Sequence, residues 1–212
     1  MPAHRPTDDA VCTSMTPPTT PDARPAVDLL VLAGGRGERL GGRDKAALTV
    51  GGRPLLLRVL DAAPVLGGRT VVVGDTVVPE GVPRTLEDPP DGGPVAGICA
   101  GLQVLRPPAP WVAVVAVDQP GAAPALGALV DRLAEVGEQV DALSHEDAGG
   151  HRQWLLALYR RAALEERLRA LPSVRDTSVR RLVDGLAWHV VRDGAEHVGD
   201  VDTWEDHARW DG

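Results

Sequence analysis

The chain has 212 residues, suited to one domain of ordinary size, and 43% of them are hydrophobic, so it can bury a core. With no Phe, one Tyr and five Trp, that core must be packed mainly with Val, Leu and Ala. A formal net charge of −8 and a pI near 5.2 argue against binding to nucleic acid or to an anionic membrane, and no apolar run reaches bilayer-spanning length.

Residues 1–26 hold Pro-Pro, Thr-Thr and scattered Asp and Arg, with no apolar stretch of signal-peptide type. Such a composition buries too little surface to offset the entropy of ordering, so a disordered tail is predicted there, with Met15 as an alternative start. A single domain is predicted over residues 27–212. Cys12 and Cys99 form no CxxC pair, which argues against structural zinc or a disulfide framework and for reduced thiols in the cytoplasm.

The first predicted strand is Val27 to Ala33, apolar and partly β-branched, stopped by Gly34-Gly35. It feeds a glycine-crowded loop that carries Arg36, Arg39, Arg43 and Lys45. Glycines let backbone N–H groups approach an anion, and the cations neutralise its charge, so the loop reads as a polyphosphate site. It is neither of two commoner motifs. Gly37 and Gly42 have Walker-A spacing, but Arg43-Asp44 stands where Lys-Ser or Lys-Thr is required. Gly35-x-Gly37-x-x-Leu40 lacks the third glycine of the dinucleotide fingerprint.

Arg53-Pro54 is predicted to open a helix whose apolar face is Leu55, Leu56, Val59, Leu60 and Ala63. Arg69 to Val73 and Arg84 to Glu87 read as short strands, the second followed by a Pro- and Gly-rich loop from Asp88 to Pro94. Val95 to Leu105 is helical, and its small residues Ala96, Gly97, Ala100 and Gly101 permit close packing on a sheet. Trp111 to Val117 is the clearest central strand, apolar until Asp118. A helix over Pro124 to Val136 follows. Val140 to Ser144 and Gln153 to Leu158 are predicted strands around the polar loop Glu146 to Arg152. Helices over Arg161 to Leu171 and Val174 to Leu182, a strand over Trp188 to Val191 and a last helix over Thr203 to Trp210 complete the chain. The alternation predicts a three-layer α/β/α domain with a mostly parallel, Rossmann-like sheet. Residues 140–160 break the alternation and are predicted to form a β-rich insertion over the ligand cleft.

In open α/β sheets ligands bind beyond the carboxyl ends of the strands. The glycine loop, the loop after Glu87 and Asp118-Gln119-Pro120 all lie at such ends. A carboxylate at the tip of a buried strand needs a cation, and magnesium held by one or two carboxylates plus phosphates is the usual arrangement. Asp118 is therefore the first metal candidate; its alternative is a turn residue before Pro. Near the C-terminus, Asp202 and Glu205 have capping-box spacing, which leaves Asp200 as the better metal ligand on chemical grounds. Lys45 is placed to reach β- or γ-phosphate oxygens and Arg39 to grip a phosphate bidentately. Asp44 beside a phosphate needs a reason, such as holding Lys45 or Arg39 in place. Ser144-His145-Glu146-Asp147 and His151 match no metal or nucleophile pattern and read as a solvated loop.

Seven motifs in order define a resemblance: Leu-Ala-Gly-Gly-x-x-x-Arg-Leu-Gly-Gly-x-Asp-Lys (32–45), Gly-Arg-Pro-Leu-Leu (52–56), Glu87-Asp88, Gly-Pro-Val-Ala-Gly-Ile (93–98), Val117-Asp118-x-Pro120, Gln-Trp-Leu-Leu-Ala-Leu-Tyr-Arg (153–160) and Asp-Val-Asp-Thr-x-Glu-Asp (200–206). Together they resemble the molybdenum cofactor guanylyltransferases, which belong with the sugar-nucleotide pyrophosphorylases among α/β nucleotidyltransferases. The resemblance implies the nucleotide-diphospho-sugar transferase type of fold. It also implies magnesium-dependent transfer of GMP from GTP to molybdenum-bearing molybdopterin, with release of pyrophosphate. It would place the nucleotide on Leu32, Ala33, Gly34, Gly35, Lys45, Asp88 and Asp118. Lys45, Arg39 and Asp118 would be catalytic, and Mg2+ would lie on Asp118, with Asp200 and Asp202 as further candidates. Gln153 to Tyr159 would face the pterin. A cytoplasmic monomer is expected, working with other proteins of molybdenum cofactor biosynthesis. Gln119 and Gly121-Ala-Ala depart from the family pattern, and Asp200 and Asp202 stand where some relatives have asparagine. The alternatives are another nucleotide, another phosphorylated acceptor such as a sugar or phospholactate, and a catalytically silent nucleotide-binding module.

Overall fold

The structure, a computed structural model, describes residues 24–34, 44–147 and 149–211. The tail expected over residues 1–26 lies outside the described residues up to position 23, and so do Gly35, Arg36, Gly37, Arg39 and Arg43 of the glycine loop.

Strand β1 (Val27–Leu32) is buried along its whole length. Its side chains alternate, so Leu29 and Val31 enter one core while Leu30 and Leu32 enter the other. That two-sided burial is why the strand reads as an almost continuous apolar run. It sits in a seven-stranded sheet ordered β5 (Arg84–Thr85), β4 (Gly67–Val73), β1, β6 (Trp111–Ala116), β8 (Arg152–Arg160), β7 (Ala142–Glu146) and β9 (Trp188–Val190). All neighbours are parallel except the two pairings of β8.

Helices α1 (Leu55–Leu60), α2 (Ala63–Leu66) and α4 (Ala122–Asp131) cover the face to which Leu29 and Val31 point. Helices α3 (Pro94–Val104), α5 (Arg161–Ala170) and α6 (Val179–Leu182) cover the other. The three-layer α/β/α expectation is met. Helix α3 lies close on the sheet as its small residues imply. A Cβ added to Gly101 would come within 2.6 Å of Leu30 and 2.9 Å of Val73.

Four differences from the sequence reading have physical causes. Arg53–Pro54 leads into α1, with Pro54 as its N-cap, but also forms an unexpected strand, β3, paired with β2 (Thr49–Val50) across Gly51 and Gly52. Both glycines have positive φ, +59° and +72°, as a two-residue type I′ hairpin turn demands. Residues 140–160 do not cover the cleft: β7 and β8 join the main sheet, with β8 paired to β6 from Trp111↔Arg160 to Val115↔Leu156. Ser144 and His145 are no solvated loop. Strand β7 runs on to Glu146 between β8 and β9, both residues are 0% exposed, and the His145 ring nitrogens lie 2.9 Å from the Val191 and Ala125 carbonyls. Helix α6 begins only at Val179, behind a Ser178 cap, because residues 175 and 176 are tied to the Pro89 to Gly92 loop instead. No helix among the described residues is long and apolar enough to cross a membrane.

Candidate active site

From β1 the chain builds outward to β4 and β5, then returns through α3 to β6 on β1's other side. The sheet's order therefore reverses between β1 and β6, and a crevice opens beyond their carboxyl ends. Ala33 and Gly34 lead β1 into it, with Ala33 N–H donating to Val73 O at 2.7 Å. Gly74 abuts them so closely that a Cβ there would lie 2.6 Å from the Ala33 carbonyl carbon.

Lys45 enters the crevice on a short 3-10 turn, Lys45–Ala47. Asp44 caps that turn by accepting from Ala46 N–H at 2.9 Å, and its second oxygen accepts from the Thr76 hydroxyl at 2.7 Å. Asp44 thus fixes the backbone that presents Lys45, rather than pairing with the ammonium. Asp118 follows β6, whose ladder to β1 is extended by Val117 N–H donating to Leu32 O at 2.9 Å. The Asp118 carbonyl in turn accepts from Val201 N–H at 2.9 Å, which docks the C-terminal segment beside it. A small third core of Leu48, Val50, Leu55 and Val201, with Trp210 against it, holds that segment to the stretch just after Lys45.

These supports bring one cation and two carboxylates together. Lys45 Nζ donates to Asp118 Oδ2 at 2.9 Å and to Asp202 Oδ1 at 2.5 Å. The side chains of Lys45 and Asp118 are only 19% and 17% exposed, while Asp202 is 40% exposed. Burial works against the Lys45 charge, but the Asp202 hydrogen bond and the Asp118 charge outweigh it and hold the ammonium above the usual lysine range. Asp200 is pushed the other way for a carboxylate. Burial first, then the charges of Asp202 and Asp118, raise its pKa.

That shift carries a prediction. A folded-state pKa above the unfolded one means that ionised Asp200 destabilises the metal-free protein at neutral pH. The penalty fades as pH falls through the folded pKa and is gone below the unfolded value near 3.8. Asp200→Asn should therefore raise the melting temperature in chelator at pH 7, with the gain shrinking towards pH 4. An equal gain at both pH values would trace it to packing and not to charge.

The C-terminal cap is one residue later than its spacing suggested. Thr203, not Asp202, caps α7 (Trp204–Asp211): its N–H and hydroxyl donate to Asp206 Oδ2 at 3.0 and 2.8 Å, and its hydroxyl accepts from Asp206 N–H at 3.2 Å. Asp202 is thereby available to Lys45. Among the described residues no three His, Cys, Asp or Glu side chains close on a common point. The two carboxylate oxygens that converge on Lys45 Nζ do fit magnesium, a hard cation that takes one or two carboxylates and completes its shell with phosphate and water.

Other expected residues lie apart. Asp88 is exposed in the loop between β5 and α3. Gly93 enters α3 with a positive φ of +84°, so that helix points its unpaired N–H groups from the same edge of the sheet. Because β8 is antiparallel, only its Arg152 to Trp154 end lies at this edge. Tyr159 pairs with Val112 at the start of β6, is 1% exposed, and donates its hydroxyl to Trp154 O at 2.6 Å. It packs the core and does not face the cleft. Arg175 went unnoticed in the sequence, since nothing local marks it. Its guanidinium donates to Pro89 O and Pro90 O, and the next residue's N–H donates to Gly92 O at 3.0 Å, so the loop carrying Asp88 is held from outside.

Comparison with known proteins bears on the family and the fold. A molybdenum cofactor guanylyltransferase of Pseudomonas putida is 39% identical over 105 residues, covering 47% of this chain and 54% of that protein. The chain thus spans about half the length of that relative. One of the same name from Pseudomonas entomophila is 30% identical over 154 residues, covering 67% and 74%. The solved structure of molybdopterin-guanine dinucleotide biosynthesis protein A from Archaeoglobus fulgidus superposes with a TM-score of 0.62 at 21% identity, covering 87% of this chain and 97% of that one, and shares the fold. Residues 29–193, which run from β1 past β9 and include Lys45 and Asp118, match the MobA-like NTP transferase domain, and the chain belongs to that family.

Proposed function

We propose that the chain is a nucleotidyltransferase that moves a guanylyl group from GTP to molybdopterin bearing molybdenum and releases pyrophosphate. The observation that carries the reading is the convergence of Lys45 with Asp118 and Asp202 at the crevice between β1 and β6. The family and the names of the relatives support the reaction class and the base.

A phosphate oxygen of the acceptor attacks the α-phosphorus of GTP, a new P–O bond forms, and the bond to the β-phosphate breaks as pyrophosphate leaves. The protein's part in such a transfer is positioning and charge neutralisation. Lys45 and Arg39 offset the charge that gathers on the departing pyrophosphate. Backbone N–H groups from Gly34 onward and at the start of α3 hold phosphate oxygens. Asp118 and Asp202 would hold magnesium, with Asp200 beside them; the ion supplies further charge neutralisation at the reacting phosphates. Asp88, in its braced loop, faces the nucleoside. The reaction belongs to the cytoplasm, with its reduced thiols.

Pyrophosphate release tests the proposal. Each of GTP, CTP, ATP and UTP is supplied with magnesium, with and without molybdenum-bearing molybdopterin. Release is expected with GTP and acceptor together. GTP binding without release in the presence of acceptor would make the chain a silent nucleotide-binding module. Release with another nucleotide would overturn the choice of base.

A further inference from the structure

Lys45 Nζ stands where a cation shared by Asp118 and Asp202 would stand, 2.9 and 2.5 Å from their oxygens. We propose that Lys45 fills the carboxylate pair until a polyphosphate draws its ammonium away, so that the metal site opens only as nucleotide binds. The inference rests on the reading of Asp118 and Asp202 as the metal-holding pair and adds how that pair is kept closed.

Three features carry it. First, the two oxygens converge on one point, and an ammonium and a divalent ion cannot share it. Magnesium–oxygen distances of about 2.0–2.1 Å are shorter than the lysine contacts, so the carboxylates must release Nζ before they close on the ion. Second, the backbone of Lys45 is anchored independently of its side chain. The Asp44 cap on Ala46 N–H and the buried Ala46 and Leu48 hold the turn in place. Lys45 can therefore move its charge by rotating its flexible four-carbon stem, with no rearrangement of the fold. Third, the exchange improves the charge balance at the pair. The pair carries two negative charges against one on Lys45 before the exchange, and against two on a divalent ion after it. The freed ammonium is then balanced by the anionic phosphates that attracted it. Metal and nucleotide thus favour each other through one side chain, and such coupling is reciprocal.

The probe is Mn2+ alone, followed by electron paramagnetic resonance or water-proton relaxation, neither of which reads turnover. Lys45→Met removes the competing ammonium and keeps the stem. It should bind Mn2+ about tenfold or more tightly than the wild type, within the range usual for coupled sites. Asp118→Asn in the Lys45→Met background should abolish the gain. Lys45→Gln serves as a second variant if the Met protein fails to fold. Equal Mn2+ affinity in wild type and Lys45→Met, with binding still lost in Asp118→Asn, would overturn the exchange and leave the metal-holding role intact. No Mn2+ bound by any of these proteins, even with GTP present, would overturn the metal-holding role itself and the exchange with it.

Discussion

Lys45→Ala is expected to lower pyrophosphate release by about 100- to 1,000-fold, the loss typical when one preorganised charge-stabilising donor is removed. The loss should appear in kcat more than in KM. Charge gathers on the leaving pyrophosphate in the transition state, so a cation that meets it there acts on the barrier more than on ground-state binding. Folding should survive. The turn that presents Lys45 is capped by Asp44 through the backbone, and its core contacts come from Ala46 and Leu48. Of the carboxylates left behind, Asp202 is 40% exposed but Asp118 only 17%. Loss of their cation should therefore cost more than the roughly 0–1 kcal/mol of an exposed ion pair and less than the roughly 3–5 kcal/mol of a fully buried one. Lys45→Arg should not rescue turnover fully, because a planar guanidinium cannot follow the path of a compact ammonium on a flexible stem. The measurement is steady-state kinetics beside a circular dichroism melt. Turnover within about threefold of wild type in a folded Lys45→Ala protein would remove Lys45 from the chemistry.

How much of this was legible before the structure depends on the kind of contact involved. Strands β1 and β6 were readable because burial on both faces forces long apolar runs, and Lys45 and Asp118 because each follows such a run at its carboxyl end. Their meeting follows from the topology of a parallel sheet. The choice between neighbouring aspartates was not readable. Asp202-x-x-Glu205 and Thr203-x-x-Asp206 have the same capping spacing, and only the third core around Val201 and Trp210 decides which residue turns towards Lys45. His145 was misread for another reason. A polar run suggests solvent, but the ring is buried with a backbone carbonyl 2.9 Å from each nitrogen, one of them able to accept the N–H of a neutral imidazole, and these contacts span 46 and 20 residues of chain. Arg175 meets Pro89 and Pro90 across 86 and 85 residues, so local sequence carries no trace of it.

The same limit hides the residue whose loss should cost most in stability. Asp28 sits inside the apolar run of β1, is 0% exposed, and faces Arg161, which is 4% exposed. Its Oδ1 accepts from Arg69 N–H at 2.9 Å, and its Oδ2 accepts from Ala109 N–H at 3.0 Å and from Arg161 Nη1 at 3.3 Å. Arg161 also donates to Leu102 O at 2.6 Å and to Glu165 at 2.7 Å, so one buried guanidinium fastens β1, α3 and α5. Asp28→Ala leaves two backbone donors and one arm of the buried Arg161 guanidinium without their acceptor, while the Arg161 charge keeps Glu165. The expected cost is about 3–5 kcal/mol, as when one partner of a buried pair is removed. Against a total stability of roughly 5–15 kcal/mol, this threatens folding itself. Asp28→Asn should cost less, because an amide oxygen still accepts one of the hydrogen bonds. The double variant Asp28→Leu with Arg161→Met should recover only the part of the loss that comes from the guanidinium, since Arg69 N–H and Ala109 N–H still lack their acceptor. Asp28 lies at the amino end of β1, opposite the crevice, so folded Asp28→Asn should keep near-wild-type turnover. Urea denaturation of the three variants measures the ordering. An Asp28→Ala protein within about 1 kcal/mol of wild type would mean that the pair is dispensable and that packing alone holds β1 between the two helical layers.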